Sequence, residues 1–266
     1  MIIGETYNLL SGKYGREFDD LVIKEVRVGL YLTGVRLSDN SCGVSATITD
    51  EGPLCSKADR DFGVFTPLNM AGKTVGELFN EKKESVLISI LRSAVLNAFS
   101  SKLIYSGSYR IIEDCDPVQL LEFNTPKTVT IVGAFQSYIR KIAETGSKLN
   151  VLELTENALI EEHRKFFVPA GEYKKILPAS DIIIITGQTL VNSTIDELLK
   201  VVPDNAQVIV SGPTVSIIPD VLFENKVTII GAVRITHPGV MFNVVSQGGT
   251  GYHLFKYCAR KTSILK

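Results

Sequence analysis

The hydrophobic and polar positions follow different periodicities in the two halves of the chain. Between residues 22 and 49, apolar and polar residues alternate, which is typical of strands with one buried face. Polar turns divide this region into strands at 22–28, 31–37 and 43–48. The stretches 74–80 and 84–100 then carry apolar residues at the spacing of an amphipathic helix. The first half is therefore predicted to be an α+β domain of three strands followed by helices.

The second half contains five short runs of aliphatic and β-branched residues that do not alternate with polar ones. Such runs suit strands buried on both faces, and helical stretches separate them, which predicts a doubly wound parallel sheet. The expected strands are 128–132, 150–154, 181–185, 207–210 and 226–230, and the expected helices are 137–145, 171–177, 194–202 and 239–247. Proline-containing turns between residues 114 and 126 indicate the boundary, so we predict domains 1–116 and 117–266, each with its own core.

Composition restricts the classes of protein to which this chain can belong. Of 266 residues 45% are hydrophobic, which supports folded cores, and 28 Lys and Arg nearly balance 29 Asp and Glu. A nucleic-acid partner normally requires a basic face, so we expect none. The first residues do not resemble a signal peptide, and the uninterrupted apolar runs are shorter than a membrane span requires. We expect a cytoplasmic protein without a membrane partner; near-neutral α/β proteins of this kind commonly form homodimers.

Cysteine and histidine residues are few and scattered. In a chain without a secretory signal, isolated cysteines are expected to be reduced and structural. No spacing among these residues predicts a metal site, so any such site would have to be assembled by folding. The residues concerned are Cys42, Cys55, Cys115, Cys258, His163, His237 and His253.

The ends of the first two strands of the expected parallel sheet carry residues that are typical of nucleotide sites. Gly133 follows the first strand, although the G-x-G-x-x-G fingerprint is absent. Glu153 lies 20 residues further on, the spacing at which an acidic residue meets ribose hydroxyls in nucleotide-binding sheets. A glycine needed only for the turn and a solvated carboxylate would explain the same pattern.

The third and fourth strands end in small polar segments. Thr186, Gly187, Thr189 and Asn192 follow the third strand, and capping of the next helix by Ser193 or Thr194 would explain only part of this polarity. We therefore interpret the segment as a contact for a polar ligand. The fourth strand is followed by a similar turn, formed by Gly212, Pro213 and Thr214.

Three further features were candidates for the same site. Arg234, after the fifth strand, could hold a carboxylate or phosphate. His237 could act as an acid, a base or a ligand, or could simply precede Pro238 at the start of a helix. Gly248 and Gly249 could form a lid or a backbone nest, or a plain loop.

Asn97 lies within the apolar arc of the long helix of the first domain. An amide in such a position must find hydrogen-bond partners. It either ties down a loop inside the first domain or faces a cleft between the domains.

Several of these segments together resemble the family of putative heavy-metal chelation domains. The segments are 132–135, 177–194, 212–214 with Pro219 and Leu222-Phe223, 247–249, and Asn97-Ala98. The resemblance implies an enolase N-terminal-like domain followed by a Rossmann-like domain, with a site between them. It also implies that Gly133, Thr186, Gly187, Thr189, Asn192, Gly212, Pro213, Thr214, Gly248 and Gly249 face that site.

Two functional hypotheses follow. In the first, the protein binds a small ligand in an inter-domain cleft, and the resemblance implies that this ligand is a heavy metal or a metal–organic complex. In the second, the protein is an enzyme that acts on a small polar or nucleotide-like metabolite with Glu153, Arg234 and His237. The residues do not identify a cofactor; the resemblance implies that it would be a metal ion.

Overall fold

The computed structural model describes residues 1–48 and 63–266. Its N-terminal part is an antiparallel sheet in the order β1-β2-β3 that packs against a long helix. The helices of this part are α1 (Ile2–Tyr14), α2 (Arg16–Asp19), α3 (Val75–Asn80) and α4 (Val86–Leu103), and its strands are β1 (Ile23–Val28), β2 (Leu32–Leu37) and β3 (Cys42–Ala46).

Local side-chain hydrogen bonds explain where these elements begin and end. In the β2–β3 turn, the hydroxyl of Ser41 donates to the carboxylate of Asp39 (2.7 Å). Helix α3 begins with a capping box between Thr74 and Glu77. The side chain of Ser85 accepts from the backbone at the start of α4 (3.2 Å). Short-range interactions therefore fix the ends of these elements.

The C-terminal part is an eight-stranded sheet in the order β4-β11-β10-β9-β8-β5-β6-β7. Its strands are β4 (Arg110–Glu113), β5 (Thr128–Val132), β6 (Lys148–Glu153), β7 (Phe167–Pro169), β8 (Ile182–Thr186), β9 (Gln207–Ser211), β10 (Ile229–Ile235) and β11 (Ala259–Leu265). The helices between them are α5 (Gln136–Ala143), α6 (Tyr173–Ile176), α7 (Gln188–Val191), α8 (Ile195–Val201), α9 (Asp220–Glu224), α10 (Pro238–Ser246) and α11 (Gly251–Tyr257).

The large sheet is mostly parallel. Strands β10, β9, β8, β5, β6 and β7 pair in parallel, whereas β11 is antiparallel to both β10 and β4. Along β8, Ile183 and Ile185 belong to one buried cluster, and Ile182 and Ile184 belong to another. Both faces of the sheet are therefore covered, as the uninterrupted aliphatic runs predicted. The predicted class, a small α+β part followed by a large parallel α/β sheet, is confirmed.

One buried cluster contains residues of both parts, whereas the sequence analysis predicts a separate core for each domain. Phe18, Leu91 and Phe99 of the N-terminal part belong to the same buried cluster as Val210 and Ile230 of the large sheet. The division at residue 116 stays a prediction, but strand β4, which precedes it, already pairs with β11 in the large sheet. Periodicity shows which face of an element is buried, but it does not show which element covers that face.

Helix α4 forms much of this shared core. Residues 86–108 are long and apolar enough to cross a membrane, so the expectation that no segment reaches that length is wrong. Small residues such as Ser93 and Ala94 interrupt the aliphatic runs without making the segment as a whole polar. Within the fold 67% of its most apolar window is buried, and Leu91, Val95 and Phe99 have no exposed surface. Helix α4 is a core helix here.

The cysteines of the described residues are free thiols, namely Cys42, Cys115 and Cys258. Burial raises the pKa of Cys258 and, as the largest effect, that of Cys42. The expectation for Cys55 lies outside the described residues.

Candidate functional site

A cavity of about 710 Å³ lies at the carboxyl ends of the parallel strands β5, β6, β8 and β9. Ligands bind at this edge in open parallel sheets because loops and helix N-termini converge there. Nine of the predicted site residues line the cavity, namely Gly133, Glu153, Thr186, Gly187, Thr189, Asn192, Gly212, Pro213 and Thr214. These nine residues, selected from the sequence, thus lie together around one cavity.

Gly133 lets the backbone pass close to the neighbouring strand. Its φ of +104° is one that residues with a side chain rarely adopt, and a Cβ atom would lie 3.0 Å from the side chain of Thr186. The Gly133 amide donates to the Leu152 carbonyl oxygen (3.0 Å). The chain therefore turns tightly from β5 towards α5 and leaves space above the strand ends.

Glu153 is the last residue of strand β6, one residue before the predicted end, and lies on the wall of the cavity. One oxygen of its carboxylate accepts from the amide of Leu154 (2.6 Å). Leu154 also lines the cavity, and 77% of its surface is exposed. A carboxylate thus lies next to an open apolar surface, which suits a ligand with both polar and apolar parts.

The hydroxyls between β8 and α8 fall into two groups. Thr189 donates to the Thr186 carbonyl oxygen (2.6 Å), and Thr194 donates to the Asn192 side-chain oxygen (2.7 Å). These two hydroxyls hold the turn together. The Thr186 hydroxyl has only a long contact, 3.5 Å, with the amide of Gln188, so it retains hydrogen-bonding capacity towards the cavity.

The turn after β9 connects the two parts of the protein at the cavity wall. The Thr214 hydroxyl accepts from the amide of Ala46 in β3 (3.0 Å), and both residues line the cavity. Gly212 has a φ of +132°. Ala46 is thus a contribution of the N-terminal sheet that the sequence analysis missed.

Asn97 does not line this cavity but lies beneath one of its walls. Its side-chain nitrogen donates to the carbonyl oxygens of Val44 (2.7 Å), Pro213 (3.1 Å) and Thr214 (3.1 Å). Its side-chain oxygen has no hydrogen-bond partner among the described residues. Asn97 was expected either to tie down a loop inside the first domain or to face a cleft between the domains. It combines features of both, because it bonds to backbone inside its own half and to the loop that lines the cavity.

The other four predicted residues lie away from this cavity. Arg234 pairs with Glu113 and lies over the ring of Tyr105 at 4.5 Å. His237 precedes Pro238 at the start of α10, and its Nδ1 is 2.9 Å from the hydroxyl of Thr236. Gly248 and Gly249 form the turn between α10 and α11, where Gly249 packs directly on Val244. Each of the four has a structural explanation.

Two polar residues outside the predicted strand-end segments also line the cavity and were missed by the sequence analysis. The hydroxyl of Tyr173 donates to the Glu197 carboxylate (2.9 Å), and this hydrogen bond raises the pKa of Tyr173. Both residues line the cavity. Glu197 lies in the first turn of α8, where an acidic side chain is favourable for the helix itself, so its sequence position offered no further signal.

The donor set does not fit a resident heavy-metal ion. Among residues 1–48 and 63–266, no three His, Cys, Asp or Glu side chains come together as a possible metal site. The carboxylates at the cavity belong to Glu153 and Glu197, and no histidine or cysteine of the described residues lines it. Soft metals prefer thiolate and imidazole ligands, which are lacking from this wall.

Fold and cavity together define an α/β protein with a ligand-sized cavity at the strand ends of a mostly parallel sheet. A family model described as "putative heavy-metal chelation" (DUF364) matches residues 116–264, and a second with the same description (DUF4213) matches residues 12–100. The chain belongs to the DUF364 family, because the first match alone spans more than half of it. The resemblance predicted from the sequence is thus confirmed.

Two solved structures are similar over the whole chain. One is a DUF364 protein of unknown function from Pyrococcus horikoshii, with a TM-score of 0.77, 18% identity and 100% of both chains covered. The other is a DUF364 protein of unknown function from Desulfitobacterium hafniense, with a TM-score of 0.75, 20% identity and coverage of 99% of this chain and 98% of that one. At these identities the likeness shows the fold alone. No curated protein matches the chain.

Proposed function

We propose that this protein binds a small ligand in the strand-end cavity, and that the ligand is a metal–organic complex rather than a bare heavy-metal ion. The size and lining of the cavity carry this proposal. A volume of about 710 Å³ is typical of sites for organic molecules and far exceeds one metal ion. The family description supplies the metal, and the lack of soft ligands on the wall favours a metal that arrives already chelated.

The polar groups of the wall suit the organic part of such a complex. Glu153 and Glu197 offer carboxylate oxygens that accept from hydroxyl or amine groups. Leu154 and Phe135 offer apolar surface. The cavity also meets the N-terminal sheet at Ala46, which supports a site in a cleft between the two parts.

A second candidate is an enzyme that acts on a nucleotide-like metabolite. The arrangement of Gly133 and Glu153 favours it, because both face the cavity from adjacent strands in the positions that contact phosphate and ribose in nucleotide-binding sheets. Arg234 and His237, which this hypothesis also used, lie outside the cavity. Without them the described cavity residues supply no cation for a phosphate.

Thermal-shift measurements on untagged protein separate the candidates. The probes are tris(ethylenediamine)nickel(II), ethylenediamine, nickel(II) chloride, AMP and S-adenosylmethionine. A ligand at about 100 times its Kd stabilises the fold by about 2.7 kcal/mol, which raises the Tm by roughly 5 °C or more for a chain of this size. We expect this shift with the nickel–ethylenediamine complex, because its positive charge and N–H donors match the carboxylates of Glu153 and Glu197. We expect a smaller shift with ethylenediamine and none with nickel chloride.

Variants connect the shift to the cavity. Glu153→Gln should reduce the shift with the nickel–ethylenediamine complex, whereas Glu162→Gln, whose side chain is 70% exposed and lies outside the cavity, should not. An equal shift with nickel chloride alone would refute the choice of a metal–organic complex. A shift with AMP or S-adenosylmethionine but not with the nickel–ethylenediamine complex would replace the first candidate by the second.

A further inference from the structure

A second, smaller cavity of about 180 Å³ adjoins the first. Phe135, Gly212 and Pro213 line both cavities and therefore form the partition between them. The polar side chains at the second cavity come from separate parts of the chain, namely Asp116, Ser137, Tyr138, Ser211, Lys261 and Thr262. The function proposed above does not involve these residues.

Lys261 and Asp116 form an ion pair at the wall of this cavity. The Lys261 ammonium lies 2.7 Å from the Asp116 carboxylate, whose side chain is only 9% exposed. Burial of Asp116 opposes its ionisation, but the hydrogen bond and charge of Lys261 help to outweigh burial, and the pKa of Asp116 lies below the usual range. One of the three ammonium hydrogens satisfies Asp116, which leaves two for another acceptor. The Lys261 side chain is 43% exposed, so a small molecule can reach it.

Tyr138 is a neutral hydroxyl at this site. Its residue is 6% exposed, and burial together with the neighbouring Asp116 carboxylate raises its pKa well above the usual range. The Tyr138 hydroxyl lies 3.4 Å from the Ser211 oxygen and retains hydrogen-bonding capacity. The Asp116 carboxylate accepts from Lys261 at one oxygen (2.7 Å) and from the Val118 amide at the other (3.4 Å), so it does not repel an anion as a free carboxylate would.

Ser211 is the donor that lacks a good acceptor. It lies at the end of β9, is 6% exposed, and its hydroxyl is 3.4 Å from the Tyr138 oxygen, which is longer than an ordinary O–H···O hydrogen bond. Across the strand pair, a Cβ atom on Gly231 would lie 2.4 Å from the Ser211 oxygen. Glycine at position 231 therefore gives this hydroxyl the space that it occupies. A nearly buried hydroxyl with one long contact favours an additional partner.

We propose that the second cavity binds the carboxylate group of a short aliphatic acid, which accepts hydrogen bonds from the Ser211 hydroxyl and the Lys261 ammonium. The apolar residues of the wall, Pro117, Val233 and Phe255, surround the space for the hydrocarbon part. A volume of about 180 Å³ equals that of roughly six water molecules, so it admits an acid of about butyrate size. This site is independent of what the larger cavity binds.

Titration of the isotope-labelled protein with butyrate, followed by backbone amide NMR, tests the proposal. We expect saturable shifts centred on Ser211, Gly212 and Val233. Butyramide has the same shape without the charge. It should bind at least about tenfold more weakly, because a hydrogen bond to a charged group is stronger than one to a neutral group. Binding of both probes with equal affinity would overturn the assignment to a carboxylate.

Matched serine variants locate the site. Ser211→Ala should weaken butyrate binding about tenfold. Ser263→Ala removes a hydroxyl on β11 that donates to the Cys115 carbonyl oxygen (2.9 Å) and lines neither cavity, so it should leave the affinity unchanged. The amide spectrum shows directly that each variant is folded. Unchanged affinity in Ser211→Ala, or shifts that do not saturate, would refute the proposal.

Glu153→Gln separates this proposal from the function of the larger cavity. Glu153 lines the larger cavity but not the smaller one, so its replacement should leave butyrate binding unchanged while it reduces the shift with the nickel–ethylenediamine complex. Loss of butyrate binding in Glu153→Gln would show that the acid occupies the larger cavity instead, and would overturn the second site.

Discussion

Replacement of Asn97 by leucine tests how the two parts of the protein are joined. The side-chain nitrogen has two hydrogens, and it lies within 2.7–3.1 Å of three carbonyl oxygens, those of Val44, Pro213 and Thr214. Leucine supplies no donor to any of them. Asn97 is 2% exposed, so water cannot easily replace the lost hydrogen bonds.

The size of the effect follows from the number of hydrogen bonds lost. Each buried carbonyl that loses its donor costs about 1–3 kcal/mol, so two lost bonds lower the free energy of unfolding by about 2–6 kcal/mol. Urea denaturation followed by far-ultraviolet circular dichroism measures this quantity. The control is Ser101→Ala on the same helix, which removes a hydrogen bond within the helix to the Ala98 carbonyl oxygen (2.7 Å) from a partly exposed residue. It should cost about 0.5 kcal/mol or less.

A loss below about 1 kcal/mol in Asn97→Leu would refute this reasoning, because it would mean that the three carbonyl oxygens do not depend on the amide. The same variant should also weaken binding in the larger cavity, since Pro213 and Thr214 line it. Unchanged binding of the nickel–ethylenediamine complex together with a large loss of stability would assign Asn97 to the fold alone.

Three further predictions concern single positions. Gly133→Ala should lower the free energy of unfolding by about 2 kcal/mol, because the new Cβ would both strain the backbone and press on Thr186. The control is Gly146→Ala, whose φ is +73° but whose Cβ would meet no atom within 4 Å. It should lower the free energy of unfolding by less in the same urea assay. Gly12→Ala, at an exposed position inside α1 with open space around the new Cβ, should raise the melting temperature, with a gain of about 0.5–1 kcal/mol. The folded-state pKa of Asp116 is lowered, so its contribution to stability is present above the usual carboxyl pKa and is lost as the pH falls through the folded-state value. Between about pH 5 and pH 2 the natural protein should therefore lose more free energy of unfolding than the Asp116→Asn variant. Parallel pH profiles of the two proteins would contradict this.

The interior of the large sheet could be predicted from sequence because its strands are uniform. Strand β8 is a run of isoleucines, and both of its faces are buried, so composition and environment agree. Strand β11 was missed because its residues, Ala259–Leu265, include charged and hydroxyl side chains. Its centre is buried nevertheless, since Thr262 and Ser263 have no exposed surface. Small hydroxyl residues in a strand carry no periodic hydrophobic signal.

The candidate site was predicted to the extent that topology determines it. The carboxyl ends of parallel strands meet at one edge, so the residues after β5, β6, β8 and β9 came together as expected. Arg234 did not, because β10 runs to Ile235 rather than ending near residue 230. Arg234 therefore pairs with Arg260 across the antiparallel ladder and is not in a loop at the strand ends. An error of a few residues in a strand boundary removed it from the site.

The shared core has a consequence for the order in which the chain is synthesised. Helix α4 ends at Leu103, but the amide that donates to its Ser100 hydroxyl belongs to Ile218, about 115 residues later. At ribosomal rates of about 5–20 residues per second, the helix waits roughly 6 to 23 s for that partner. During this interval the face of α4 that packs on the C-terminal part lacks its partner, whereas β2 and β3, which also pack on α4, are already synthesised. Chaperones that hold exposed apolar segments therefore have a defined interval in which to act on this protein.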